Sequence, residues 1–209
     1  MTTFVAHAAG DEACDLPISY RSRFPSHTTK CRGRTLYRSQ EASDYACLLE
    51  VDPMVVHWRC VTQPVVNDSP ALKPRHRYVD FAVRTSDERN LLVDIWHGIP
   101  ETITWLPAVA ERLGYRYQAV SIFDLNPVRV QNARDLVRYA GWQATLGDRV
   151  RILAGLEEEG ALTLAECLGA VRESRPMASI ASMILMGLLE VDLDEALLGP
   201  DTAIRAARS

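Results

Sequence analysis

The spacing of apolar positions changes along the chain, and each change predicts a different kind of element. Residues 1–35 hold no sustained period and predict irregular structure. From Ser39, an apolar set at helical spacing (Ala42, Tyr45, Ala46, Leu48, Leu49) predicts a helix to about Val51, N-capped by Ser39 and ended by Pro53. The period is then lost. Valine-rich segments at 54–60 and 61–66, interrupted by Gln63-Pro64, read as extended chain, and Asn67-Asp68-Ser69-Pro70 reads as a turn. Strands are predicted at 77–84, 91–96 and 115–123. Helices are predicted at 106–113, closed by Gly114, and from Asn126-Pro127 to about Tyr139. Helix, antiparallel strands, helix, strand, helix is the order of an α/β fold with a mixed sheet.

Near Gly141 the pattern resets. Helices are expected at 148–158, at 163–171 with a Thr163/Glu166 capping box, and at 176–189 from Pro176. Two short strands, 190–193 and 202–206, flank the Gly199-Pro200 turn. Three helices and a hairpin outline a winged helix. The expected organisation is therefore an irregular basic arm (1–35), an α/β domain (36–140) and a small winged-helix-like α domain (141–209).

Composition changes this picture little. The 209 residues are 47% hydrophobic and 24% charged, with a net charge of −4, which is ordinary for a globular protein and unlike a general DNA packer. Charge is nevertheless uneven: Arg21, Arg23, Lys30, Arg32, Arg34 and Arg38 follow one another with no acid between Tyr20 and Arg38. Such a segment is either a solvated arm or one that tracks phosphates by releasing counterions. Cys14, Cys31, Cys47, Cys60 and Cys167 form no paired spacing, so reduced thiols are expected rather than zinc or disulfides. No apolar run is long enough for a membrane span and the N-terminus has no signal-like core, so a cytoplasmic protein without membrane contact is expected.

Candidate chemistry centres on Glu41, Asp80 and Asp94. Asp80 and Asp94 interrupt the apolar strand segments Tyr78–Val83 and Leu91–Trp96. A carboxylate there is costly unless it is paired, hydrogen-bonded or bound to a metal. Two such aspartates on neighbouring strands can hold Mg²⁺ or Mn²⁺ against a phosphate, with a glutamate from the preceding helix completing the set. Each can also be a solvent-facing residue on the polar side of its strand.

The ordered series Tyr37-Arg38-Ser39-Gln40-Glu41, Leu48-Leu49-Glu50-Val51-Asp52-Pro53, Val55-Val56-His57-Trp58, Gln63-Pro64, Arg77-Tyr78-Val79-Asp80-Phe81 and Leu92-Val93-Asp94-Ile95-Trp96 resembles the N-terminal domain of TnsA-type transposon endonucleases over about residues 20–140. The resemblance implies a restriction-endonuclease-like PD-(D/E)xK core, a winged-helix-like second domain, and action on DNA beside a transposase or ATPase partner. It makes Asp80 the central metal ligand and Asp94 the acid opening the (D/E/Q)-x-K element. The helical acid falls on Glu41 or, counted back from Asp52-Pro53, its position falls on Ala42. At the lysine position stands Trp96, and an indole neither activates water nor offsets phosphorane charge. Lys73, Arg75 and Arg77 before Asp80, and His97 after Trp96, are the residues that would have to compensate.

A DNA-binding and assembly protein of TnsA-like type is therefore expected, related to transposition or mobile-element processing and without autonomous nuclease activity. Its DNA contacts are expected from Arg32, Arg34, Arg38, Lys73, Arg75 and Arg77. Two alternatives stand beside it: an active Mg²⁺- or Mn²⁺-dependent endonuclease subunit of a heteromeric transposase, and a winged-helix DNA-binding regulator. The helix from Pro176 sits where a recognition helix would, with Arg172 and Arg175 upstream, but it is too apolar for a major-groove reader, so protein contact or core packing is the favoured role.

Overall fold

The computed structural model describes residues 24–67 and 75–207; the first part of the basic arm, Lys73 and most of the 67–70 turn lie outside the described residues. The protein is mixed α/β, with a mixed sheet flanked by helices. Helix α1 (Gln40–Val51) begins as expected, because the Ser39 hydroxyl accepts from the Ala42 N–H. Strand β1 (Val55–Cys60) pairs antiparallel with β4 (Phe81–Thr85), and β4 pairs antiparallel with β5 (Asn90–Trp96). After α2 (Leu106–Arg112), β6 (Arg116–Ser121) returns parallel to β5, giving the order β1-β4-β5-β6.

The strand expected at 77–84 is in fact two. Arg75–Arg77 forms β3, which pairs with β2 (Val65–Asn67) in a separate two-stranded sheet. Tyr78–Asp80 carries the chain across before β4 begins. Of the extended segment 61–66, the end alone becomes strand, beyond the Gln63-Pro64 break.

One face of the main sheet packs under α1 through Tyr37, Trp58, Phe81, Val83 and Val93. Trp58 meets Phe81 edge-on with ring centroids 5.4 Å apart, a geometry that adds to simple burial. The other face packs under α2 through Ala82, Leu92, Leu106 and Val109.

The end of the basic arm is fastened through its backbone, while Arg32 and Arg34 stay exposed. Glu50, fully buried on α1, accepts from the Thr29 N–H (2.6 Å), the Thr29 hydroxyl (2.7 Å) and the Trp58 indole (2.7 Å). The Arg32 N–H donates to the Trp58 carbonyl at 2.7 Å, and the Trp58 N–H donates to Lys30 at 3.2 Å, so residues 30–32 run along the outer edge of β1.

Helix α3 (Pro127–Val137) starts at Asn126, whose side chain accepts from Val128 and Arg129. The chain then forms α4 (Leu146–Glu159), β7 (Leu162–Thr163), α5 (Leu164–Ala170), α6 (Pro176–Leu185), β8 (Leu189–Val191) and β9 (Ala203–Ala206). The Thr163/Glu166 capping box forms as expected. Helix α6 stops a turn earlier than predicted because Gly187 takes φ +69°, which releases Leu189 into β8. The last three strands form an antiparallel sheet in the order β7-β9-β8. The expected boundary near Gly141 is crossed by an apolar cluster joining Cys47, Ala133, Leu136, Ala181, Leu185 and Leu193. Cys31, Cys47, Cys60 and Cys167 are free thiols, and burial pushes Cys47 up to about 12 and Cys60 up to about 11. Among the described residues, no helix is long and apolar enough to cross a membrane.

Candidate functional site

The two aspartates singled out in the strands come together at one end of the main sheet. Asp80 stands just before β4. Its N–H donates to the Val93 carbonyl and its own carbonyl accepts from Val61, both at 2.9 Å, so the backbone is locked before the side chain is considered. Asp94 lies in β5, on the sheet face that packs toward α2. Both side chains are buried, at 5% and 1% exposure.

Arginines meet both of them. Arg38, just upstream of the α1 cap, donates to Asp80 Oδ1 from Nε (3.0 Å) and Nη2 (2.9 Å), and the same Nη2 stands 3.8 Å from Asp94 Oδ1. Arg77, at the end of β3, grips Asp94 with Nε to Oδ2 (2.9 Å) and Nη2 to Oδ1 (3.2 Å). The Ile95 N–H donates to Asp80 Oδ2 at 2.8 Å. The Trp96 indole (3.0 Å) and the Tyr117 hydroxyl (3.1 Å) donate to Asp94 Oδ2. The Arg77 guanidinium also lies over the Trp96 ring, 4.3 Å from its centroid. Trp96, expected to mark a missing lysine, is thus a working part of the cluster: it orients the Asp94 carboxylate and forms the floor beneath Arg77.

This arrangement does not fit a divalent metal. An ionised carboxylate offers about four acceptor positions, and Asp94 already receives four donors: two from Arg77, one from Trp96 and one from Tyr117. Two guanidinium charges offset two carboxylates, leaving no net negative charge to attract a cation. Burial pushes both carboxyls up from the ordinary aspartate range, against the pull of Arg38 on Asp80 and of Arg77 on Asp94, while the Asp80 charge adds to the rise at Asp94. Among the described residues, no three histidine, cysteine, aspartate or glutamate side chains converge on a metal position.

Glu41 does not join the pair. It meets His97 Nδ1 at 3.2 Å, with His97 exposed and Glu41 part-exposed. Its own backbone N–H, and after it Ser39 and His97, hold its carboxyl below the usual range. Of the arginines expected to touch DNA, Arg38 and Arg77 are engaged with the aspartates, whereas Arg32, Arg34 and Arg75 are exposed.

Tyr117 was missed because its role depends on register. Asp94 pairs with Ala119 across parallel strands, so Tyr117, two residues earlier, presents on the same face. Two further buried acids were also missed. Glu50 follows Ala42 and Ala46 at four-residue steps on the buried stripe of α1, a signal that was open to reading. Asp148, at 0% exposure near the start of α4, accepts from the Arg172 N–H (2.8 Å), the Glu173 N–H (3.2 Å) and the Ser174 hydroxyl (2.6 Å). Burial alone would raise its carboxyl, but these donors hold it well below the ordinary aspartate range.

Compared with protein-family models and with curated proteins, the chain matches none.

Proposed function

We propose that this protein handles DNA without cutting it, on a TnsA-type scaffold whose nuclease centre has become a structural clamp. The observation that carries this reading is the engagement of Asp80 and Asp94 by Arg38, Arg77, Trp96 and Tyr117. In a working PD-(D/E)xK centre the two acids face a metal and a lysine faces the attacking water. Here the acids face guanidinium groups and the lysine position is an indole that donates to one of them. The four-stranded mixed sheet between α1 and α2 supports a restriction-endonuclease-like core.

The helix–strand–helix–helix–strand–strand order with sheet order β7-β9-β8 supports a winged-helix-like module. That module favours a protein partner over base readout. In α6, Ala178 through Met183 and Leu185 are buried. The loop between β8 and β9 carries Asp192, Asp194, Glu195 and Asp201, charges that repel a phosphate backbone. A transposase or ATPase partner follows from the TnsA resemblance.

The test is a calorimetric Mn²⁺ titration of the wild type and of Asp80→Asn in the presence of a DNA duplex, paired with a plasmid-nicking assay. The expected result is no Asp80-dependent metal binding and no nicking, with duplex binding retained by both proteins. Saturable Mn²⁺ binding that Asp80→Asn abolishes, together with nicking, would establish the active endonuclease subunit in its place.

A further inference from the structure

A second set of basic residues lies on β1 and β4, with Arg59 nearest the aspartates and His57 and Arg84 further along. His57 and Arg84 face each other across β1 and β4, and Arg59, opposite Ala82, follows on the same face of the sheet. That face is the one opposite Trp58 and Phe81, and α2 covers it further along, over Ala82 and Leu92. Arg32 is brought beside this corner by its backbone bond to Trp58. Arg32 and Arg59 are exposed, and neither makes an ion pair among the described residues. Arg84 donates to the Glu88 carbonyl and, at 3.2 Å, to Asn90 Oδ1, and makes no ion pair among the described residues. Among the described residues, His57 Nδ1 is buried without a hydrogen-bond partner. Burial first, then the charges of Arg32 and Arg84, lower its pKa.

Uncompensated guanidinium groups gathered on a protein of net charge −4 form a local site of attraction for an anionic polymer. The geometry points to Arg32, His57, Arg59 and Arg84 as a docking strip for the phosphate backbone of duplex DNA. This rests on the DNA-handling reading and gives it a surface other than the former nuclease centre. The contacts go to phosphates and fix position without reading sequence. The strip also reassigns part of the expected basic set: Arg32 stays in the interface, Arg38 and Arg77 leave it, and the β1 and β4 residues enter it.

Fluorescence anisotropy with a labelled duplex, over a series of salt concentrations, tests the strip. Arg32→Glu/Arg59→Glu should weaken binding by about tenfold or more and lower the salt slope by roughly two, since each lost phosphate contact removes about 0.9. Arg112→Glu, an exposed change on α2 away from the strip, should leave both unchanged. If circular dichroism finds the charge reversal unfolded, Arg32→Gln/Arg59→Gln replaces it, with the same loss of slope expected. Wild-type duplex binding that the folded strip variants leave intact overturns the strip and spares the DNA reading. Absence of duplex binding by the wild type at low salt overturns both.

Discussion

Buried acids are held in two ways in this protein, and the contrast lies in where their donors come from. Glu50 and Asp148 are solvated mainly by backbone N–H groups, hydroxyls and, for Glu50, an indole, with Arg151 adding one ion pair to Asp148 at 2.7 Å. Each pins a loop to a helix: residues 29–30 to α1 in one case, residues 172–174 to α4 in the other. Asp80 and Asp94 are instead met chiefly by arginine side chains at one end of the main sheet. Backbone donors remain when the acid is removed and then lack partners. An arginine can be removed together with its acid. The first kind is therefore expected to matter more to the fold, and the second to be more readily exchanged as a pair.

The largest effect should therefore come from Glu50→Ala, which strands the Thr29 and Lys30 amides and the Trp58 indole in the interior. A loss of about 4 kcal/mol in urea unfolding is expected. Asp148→Ala should cost about 3 kcal/mol for the same reason, with amide exchange rising first around residues 172–174. Arg77→Ala, which leaves Asp94 buried with two neutral donors and the more distant Arg38, should cost about 2 kcal/mol at neutral pH. The joint replacement Arg77→Met/Asp94→Leu should return to within about 1 kcal/mol of wild type. A double variant no better than Arg77→Ala would show that the two kinds of acid do not differ as described.

Acidity sharpens the same contrast through opposite signs. The folded-state pKa of Asp148 is depressed, so its contribution is present above the unfolded value near 3.9 and is lost as pH falls toward the folded value. The folded-state pKa of Asp94 is raised, so the fold is favoured below the unfolded value and loses that contribution as pH rises through the folded one. Comparing the pH dependence of stability for Asp148→Asn and Asp94→Asn with wild type should give difference curves of opposite slope. The smallest effect belongs to Trp96→Phe, which keeps a ring under Arg77 but removes the indole donor, at about 1 kcal/mol.

Much of this was legible in the sequence. The α1 cap, the strand carrying Asp94, the Asn126-Pro127 helix start and the Thr163 capping box all declare themselves through local chemistry, and the structure has each of them. Trp96 was legible as a departure from a nuclease motif. Its positive role was not, because its hydrogen bond to Asp94 and its stacking with Arg77 depend on how β3 meets β5. Arg38 and Arg77 were legible as charges, but charge alone does not tell a phosphate partner from a carboxylate. Glu41 stands in the first helical turn, whereas the acid buried in that helix is Glu50, about two and a half turns later on the inward stripe. The break between β3 and β4 escaped notice because Tyr78 and Val79 continue the apolar alternation through a segment that crosses between sheets.

The apolar cluster shared by α1, α3 and α6 has a consequence for how this chain can be taken apart. Cys47, Leu136 and Leu185 are each almost fully covered, and the cover comes from across the expected boundary as well as from their own side of it. A cut near Gly141 would expose greasy surface on both fragments, so neither piece would be expected to behave as a well-mannered protein in isolation. Heating the whole chain should give one calorimetric transition rather than two. For inheritance the same seam means that the two halves must change in step, and a recombinant that joins one half to a distant cousin's would have to bring the matching face of α1 along with it.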